Sequence, residues 1–308
     1  MLFAMTDRTP VLKTCKLFIG GGYPRSESGR TTKVCGPDGT VIAHASRASR
    51  KDLRDAVEKA AAAQAGWAGR DAYNRGQILH RLAEMLEGRR GELAEAIRAT
   101  SGRGEASALR EVDASIDRVV AFAGWTDKLA AVLGGRNDVA GPYHNFTVPG
   151  PVGVTGLLVP EPAPGRAGAS ADGGVPPLLA LVTMLGPVLA GGSTAVAVGG
   201  EHHPLSWVVF AEACGVADVP AGVINLLTGS ATELLEPMAS HRELRAIGAA
   251  NLDRDALATL ETLAADQMAR VRHESFDESA WYDHDRCESP WRCEAFLEMK
   301  TIWHPSAC

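Results

Sequence analysis

The sequence predicts an α/β protein built around a parallel sheet covered on both faces, and three observations carry the prediction. Turn-rich β-hairpin writing fills residues 16–47, three amphipathic helical stripes follow, and from Val152 short two-sided apolar runs alternate with helical segments. Strand and helix alternating in this way calls for right-handed βαβ units. The 308 residues, 45% hydrophobic and 22% charged, leave room for about two domains with a sizeable core.

In the first segment, Lys16–Ile19 and Val41–Ala43 are short apolar runs separated by Gly20-Gly21-Gly22, Ser28-Gly29 and Pro37-Asp38-Gly39. Ser49, with Asp52 three residues on, opens a helix whose Leu53, Val57, Ala60 and Ala61 recur at helical spacing. A second helix is expected from about Tyr73 to Ala99 on the stripe Ile78, Leu79, Leu82, Met85, Leu86, Leu93 and Ile97. A third is expected from about Glu105 to Leu133. From Val152 the expected order is strand Val152–Val159, helix Leu178–Leu189, strand Ser193–Val198, helix Leu205–Cys214, strand Gly222–Leu227, helix Thr232–Ser240 and short strand Ala246-Ile247. Asp253–Arg272 reads as one more helix and His273–Cys293 as irregular. Phe296–Trp303 reads as a terminal strand that completes a sheet in its own chain or adds to a neighbour's.

Composition excludes several partners. A net charge of −6 argues against a nucleic-acid surface, which carries a basic excess. The N-terminal MLFAMTDRTP lacks a basic-then-apolar leader, and the longest apolar stretch, Val175–Val198, is broken by Gly186, Pro187, Gly191 and Gly192, so no membrane segment is expected. Asn145-Phe146-Thr147 matches a glycosylation acceptor by chance in that setting. Six cysteines without a CxxC fit reduced thiols and a cytoplasmic protein. In parallel sheets ligands sit beyond the C-terminal strand ends, so AVAVGGEHHP, residues 195–204, ends where a site would be.

A run of landmarks then resembles one family. Lys16–Gly22 through Ser26–Gly29, Gly124–Leu129, Pro151–Gly156, Pro187–Thr194 and Pro220–Gly229 stand in the order seen in the aldehyde dehydrogenase superfamily, and Phe296–Pro305 is similar to that family's C-terminal oligomerisation strand. The resemblance covers residues 16 to about 250 and the last dozen. It implies an aldehyde-dehydrogenase-like fold: a Rossmann-type sheet with an N-terminal hairpin and helices, a catalytic domain, and a strand arm pairing between subunits. Such an enzyme is much longer than 308 residues, so the catalytic domain is expected to be largely missing. The implied organisation is a hairpin arm (1–48), a helical layer (49–147), a Rossmann-like domain with a vestigial cofactor site (148–252), and a helix, irregular tail and oligomerisation strand (253–308).

At each functional position the sequence departs from the pattern. Where the resemblance implies Pro-Trp-Asn, whose Asn helps hold the oxyanion, stands Pro160-Glu161-Pro162, followed by the low-complexity loop Ala163–Pro176. Glu161 is expected to be a solvated loop carboxylate rather than a base. Where a Lys and a Glu would grip the adenosine ribose stand Gly199, Gly200, Glu201, His202, His203 and Pro204, so Gly199, Gly200 and Glu201 are the candidate remnants of a nucleotide site. Two adjacent histidines suit a loop better than a metal pair, and no metal is expected. Phe-Thr-Gly-Ser, which would meet the pyrophosphate, is replaced by Gly248-Ala249-Ala250-Asn251. The general-base Glu in Glu-Leu-Gly-Gly and the nucleophilic Cys in Gly-Gln-x-Cys have no counterpart by motif. Cys214 reads as a buried hydrophobe. Cys287 and Cys293, with His284 and His304, form no established zinc spacing and read as surface thiols.

The sequence therefore implies a catalytically degenerate family member with no catalytic residues and no expected cofactor, acting as a structural or regulatory subunit. Its implied partner is a full-length NAD(P)-dependent aldehyde dehydrogenase or a second copy of itself. The interface candidates are Trp291, Phe296, Leu297, Ile302 and Trp303, and deleting Phe296–Cys308 should abolish assembly. Two alternatives stand beside it: an oxidoreductase with an altered NAD(P) site, and a standalone small-ligand module at Glu201–His203.

Overall fold

The computed structural model describes residues 11–162 and 174–306. The expected loop Ala163–Pro176 therefore lies mostly outside the described residues, as do the N-terminal decapeptide and Cys308.

The N-terminal arm is a three-stranded sheet of β1 (Lys13–Cys15), β2 (Thr31–Cys35) and β3 (Val41–Ser46), in the order β1-β3-β2. β2 and β3 pair antiparallel around Pro37-Asp38-Gly39. The Asp38 carboxylate accepts the Thr40 amide at 2.9 Å, and Gly39 takes the left-handed φ of 81° that the turn needs. Lys16–Ile19, expected as a strand, makes only isolated bridges, Phe18 to Leu226 and Ile19 to Gly22, because Gly20 and Gly21 turn the chain at φ 60° and 77°. The Phe18–Leu226 bridge docks the arm on the main sheet.

α1 (Arg50–Ala68) starts at a capping box in which Ser49 and Asp52 satisfy each other's amides. The expected second helix is two, α2 (Ala72–Glu87) and α3 (Arg90–Ser101), broken at Gly88-Arg89. The third stops early, giving α4 (Glu105–Trp125) and the short α5 (Leu129–Leu133). A continuous apolar stripe hid both breaks, since a helix can restart on the same face.

The main sheet comprises β6 (Val154–Leu158), β7 (Thr194–Gly199), β8 (Ile224–Thr228), β9 (Ala246–Ala250) and β10 (Arg270–Glu274). All are parallel, in the order β10-β9-β6-β7-β8. β10 corrects the expected helix Asp253–Arg272, which ends as α9 (Arg254–Asp266). The polar Arg-Val-Arg-His-Glu run carries no strand signal by itself and is held by pairing with β9. Every residue of β6, β7, β8 and β9 is buried, which is the two-sided pattern of a covered parallel sheet. α6 (Pro177–Ala190), α7 (Leu205–Val216), α2 and α4 pack on one face. α1, α8 (Ala231–Ala239) and α9 cover the other. α6 is buried along its whole length and passes so close to α4 that a Cβ on Gly186 would stand 2.2 Å from the Phe122 ring.

Between the helices and the main sheet the chain forms β4 (Gly135–Asn137) and β5 (Tyr143–Pro151), neither foreseen. The terminal strand β11 (Leu297–Pro305) pairs antiparallel with β5 along its full length. Of the two destinations open to it, β11 thus takes a sheet in its own chain. Three single-turn helices, α10 (Glu278–Trp281), α11 (His284–Cys287) and α12 (Trp291–Glu294), fill the stretch expected to be irregular. No helix among the described residues is long and apolar enough to cross a membrane.

Candidate functional site

The C-terminal ends of the main-sheet strands are the place to look, and each is followed by a loop with its own chemistry. After β6 comes Val159–Pro162. Glu161 is half-buried, and its Oε2 accepts the backbone N–H of His202 at 2.9 Å, so it is not the solvated loop carboxylate expected from sequence. Burial pushes its carboxyl up, opposed by the amides of His202 and His203 and reinforced by the nearby Glu201.

After β7 the backbone turns at Gly200, φ 62°. A Cβ on Gly199 would fall 2.7 Å from the Val159 carbonyl oxygen and 3.0 Å from the Trp207 ring. Trp207 itself is fixed by donating Nε1–H to the Pro177 carbonyl at 3.1 Å. Gly199 is therefore glycine because the strand end is packed against Trp207. Glu201 lies 3.4 Å from Arg47, which also pairs with Glu233 at 2.8 Å, and Arg30 holds Glu233 at 2.7 Å. These charges tie the strand ends to the arm.

His203, expected at the rim, is only 7% exposed, and its Nδ1 has no hydrogen-bond partner; Ser206 Oγ, at the start of α7, is likewise buried and unpartnered. Burial, with His202 and Arg103 nearby, lowers the His203 imidazole to about 4. The one grouping of metal-compatible side chains among the described residues is Glu161, Glu201 and His202, whose ligand atoms all lie within 4.8 Å of one another. The sequence supplied these residues but not the grouping, because Glu161 comes from a different loop.

After β9, Asn251 takes φ 55° and both donates to and accepts from Phe276, at 3.0 and 2.7 Å. Asp253 then caps α9 by accepting the Ala256 amide at 2.8 Å, so the positive end of that helix already holds an anion. At the end of β10 stands Glu274, gripped by both Nη atoms of the nearly buried Arg292 at 2.8 and 2.7 Å. A search for Glu-Leu-Gly-Gly passes over this acid, because it is followed by Ser275-Phe276-Asp277; recognising β10 as a strand was the missing signal.

The buried cysteines are not set up to give a thiolate. Cys214, Cys287 and Cys293 are buried, and burial pushes all three thiols up, Cys293 to about 12. Cys287 and Cys293 are thus core residues and not surface thiols, and the Cys287 Sγ–H donates to the Ala280 carbonyl. His284 instead pairs with Glu288 at 2.7 Å. Cys35 is exposed, on the arm.

The interface candidates divide. Phe296 and Leu297 are buried in this chain's own core, where they close the gap between α6, the sheet and α12. Trp291, Ile302 and Trp303 are exposed at 60%, 44% and 56%. Trp303 packs edge-on against Tyr143 at 5.7 Å across the β5–β11 ladder.

The sequence pattern of the aldehyde dehydrogenase family matches residues 23–171 and 174–270. The chain is 34% identical over 239 residues to the cytosolic 10-formyltetrahydrofolate dehydrogenase of Xenopus tropicalis, covering 76% of this chain and 25% of that protein. It is 31% identical over 235 residues to retinal dehydrogenase 2 of Mus musculus, covering 75% and 42%. Among solved structures, an aldehyde dehydrogenase of Bacillus cereus in complex with NAD+ superposes with a TM-score of 0.75 at 25% identity, over 85% of this chain and 51% of that one. The chain thus spans between a quarter and a half of the length of the relatives it matches.

Proposed function

The chain belongs to the aldehyde dehydrogenase family, and from that premise we propose that it serves as a non-catalytic, structural or regulatory subunit. Its partner is a full-length NAD(P)-dependent aldehyde dehydrogenase or a second copy of itself, assembling in the cytoplasm. The observation that carries this reading is β11. The strand lies at the edge of the sheet β11-β5-β4, every residue from Glu298 to Pro305 is exposed, and among the described residues its outer backbone edge has no partner strand. A long open edge with Ile302 and Trp303 on it is an association surface unless another chain covers it.

Two features support the loss of catalysis. Thioester chemistry needs an oxyanion donor, a reactive thiolate and a free base. The donor position carries Pro162, the thiols of Cys214 and Cys293 are buried and raised, and the acid at the end of β10 is clamped by Arg292. A dinucleotide is also a poor fit to the residues present. Asp253 occupies the α9 terminus that would meet a pyrophosphate, no lysine follows β7, and Glu201 faces Arg47. We therefore assign no step to NAD(P).

The test is native mass of the tagged protein from its own host, with the co-purifying chains identified. Recovery with a larger aldehyde dehydrogenase in fixed ratio, or as a homo-oligomer, is the expected result. A monomer that gains thermal stability with NAD+ overturns it, since a ligand at 100 times its Kd raises stability by about 2.7 kcal/mol.

A further inference from the structure

The two loops in which the sequence departs from the family pattern after β6 and β7 converge in space. Pro160-Glu161-Pro162 supplies one carboxylate, and Gly200–Pro204 supplies a second and an imidazole. We propose that Glu161, Glu201 and His202 form a site for a divalent first-row transition metal of zinc's class, joining the ends of β6 and β7.

The donor set argues for that class of ion. One imidazole nitrogen and two carboxylates suit zinc, cobalt or nickel better than calcium or magnesium, which take six or more oxygens or keep most of their waters. Ligand atoms bound at about 2.0–2.2 Å sit about 3.3–3.6 Å from each other in a tetrahedron, so a cluster within 4.8 Å closes by side-chain adjustment of about an ångström. Three protein ligands leave a fourth position for water.

The ligands are also held and available. The His202 amide orients Glu161 through Oε2, and the His202 ring makes no hydrogen bond among the described residues. Among the described residues Arg47 is the one cation at Glu201; it stands 3.4 Å from Oε1 and is shared with Glu233, which leaves the second oxygen of Glu201 for an ion. Two carboxylates so close repel each other, and a cation between them removes that cost.

A second sign is independent of the three ligands. The imidazole next along the chain, His203, has its Nδ1 buried without a partner among the described residues, as has Ser206 its Oγ at the start of α7. A buried, unsatisfied imidazole one residue from a ligand is a group that a water coordinated at the site would satisfy. The proposal does not depend on the subunit reading, since it concerns one chain and is read without reference to its mass.

The test is titration of the chelator-stripped full chain with Co2+, followed by displacement with Zn2+. Binding of one equivalent is expected, with visible cobalt d–d bands and no near-ultraviolet thiolate band, and reversed by zinc. His202→Ala and Glu161→Gln should each weaken binding by at least about tenfold, with melting temperatures in chelator unchanged. If His202→Ala does not fold, Glu201→Gln gives the same comparison. A thiolate band, affinity unchanged in the variants, or no saturation below millimolar metal overturns the proposal.

Discussion

Glu111 on α4 is wholly buried, and its titration should be readable in the stability of the whole domain. Its carboxylate accepts the Leu178 amide at the start of α6 at 2.8 Å and lies 2.9 Å from Arg103. Burial outweighs both and pushes the carboxyl from 4.5 up to about 7. Below pH 4.5 the folded and unfolded chains both hold the proton, and the stability contributed by the neutral group is fully present. As pH rises the unfolded chain releases its proton first, so that stability is lost progressively until the folded carboxyl ionises near 7. At about 1.4 kcal/mol for each tenfold, the whole loss is about 3 kcal/mol, of which roughly 2.5 kcal/mol falls between pH 5 and pH 8.

Glu111→Gln keeps the shape and removes the proton equilibrium. Urea unfolding of both proteins at pH 5 and pH 8 isolates the group, since every other titration cancels in the difference. The stability of the parent relative to the variant should fall by about 2 to 3 kcal/mol from pH 5 to pH 8. A difference that does not change with pH, or that grows with pH, would refute the reasoning. It would mean that Arg103 and the α6 amides, and not burial, decide the charge on Glu111.

Gly186→Ala should cost about 2 kcal/mol in chemical unfolding, because its Cβ would meet the Phe122 ring at 2.2 Å, and Phe122→Leu in that background should return part of the loss. Ile302→Glu with Trp303→Glu should lower the native mass while leaving the melting temperature of the chain unchanged, both side chains being exposed. It is a cleaner test than deleting Phe296–Cys308, which also removes the core residues Phe296 and Leu297. Arg292→Met should destabilise by about 2 kcal/mol at neutral pH by leaving the mostly enclosed Glu274 carboxylate with only the half-exposed Arg272 at 3.4 Å, and Glu274→Gln in the same chain should recover most of it in the same assay.

The parallel sheet was legible because its strands are apolar on both faces and are separated by helices of ordinary length. α1 was legible to its first residue because Ser49 and Asp52 write a capping box. What escaped notice has physical reasons. β4, β5 and β10 are polar strands stabilised by a neighbour and not by their own pattern; β5 exists because β11, distant in sequence, lies along it. The break at Gly88-Arg89 was hidden because both helices present the same apolar stripe. At the strand ends, the sequence could name Glu161, Glu201 and His202 one by one, but their approach within 4.8 Å depends on the register of β6 on β7. Cys287 and Cys293 were misplaced because they sit among polar neighbours in sequence while the single-turn helices carrying them fold inward against α6 and α10.

These facts together explain how the fold persists while the family's site changes. The packing that stabilises the domain is made by the bodies of β6–β9 and by α6, all enclosed, and by the buried face of α7, whereas a family's chemistry resides in loops that contribute little to that packing. Substitutions there are thermodynamically cheap as long as each polar group finds a new partner. That is what the structure contains: Glu161 on the His202 amide, Glu201 toward Arg47, Asp253 on α9, Glu274 on Arg292. Among the described residues, His203 Nδ1 and Ser206 Oγ at the end of β7 are buried and unsatisfied, as is Arg292 Nε beside Glu274. Each such group costs about 1–3 kcal/mol, and two of these three stand at the end of β7. They mark the β6–β7 end as the place where something outside the chain completes the structure.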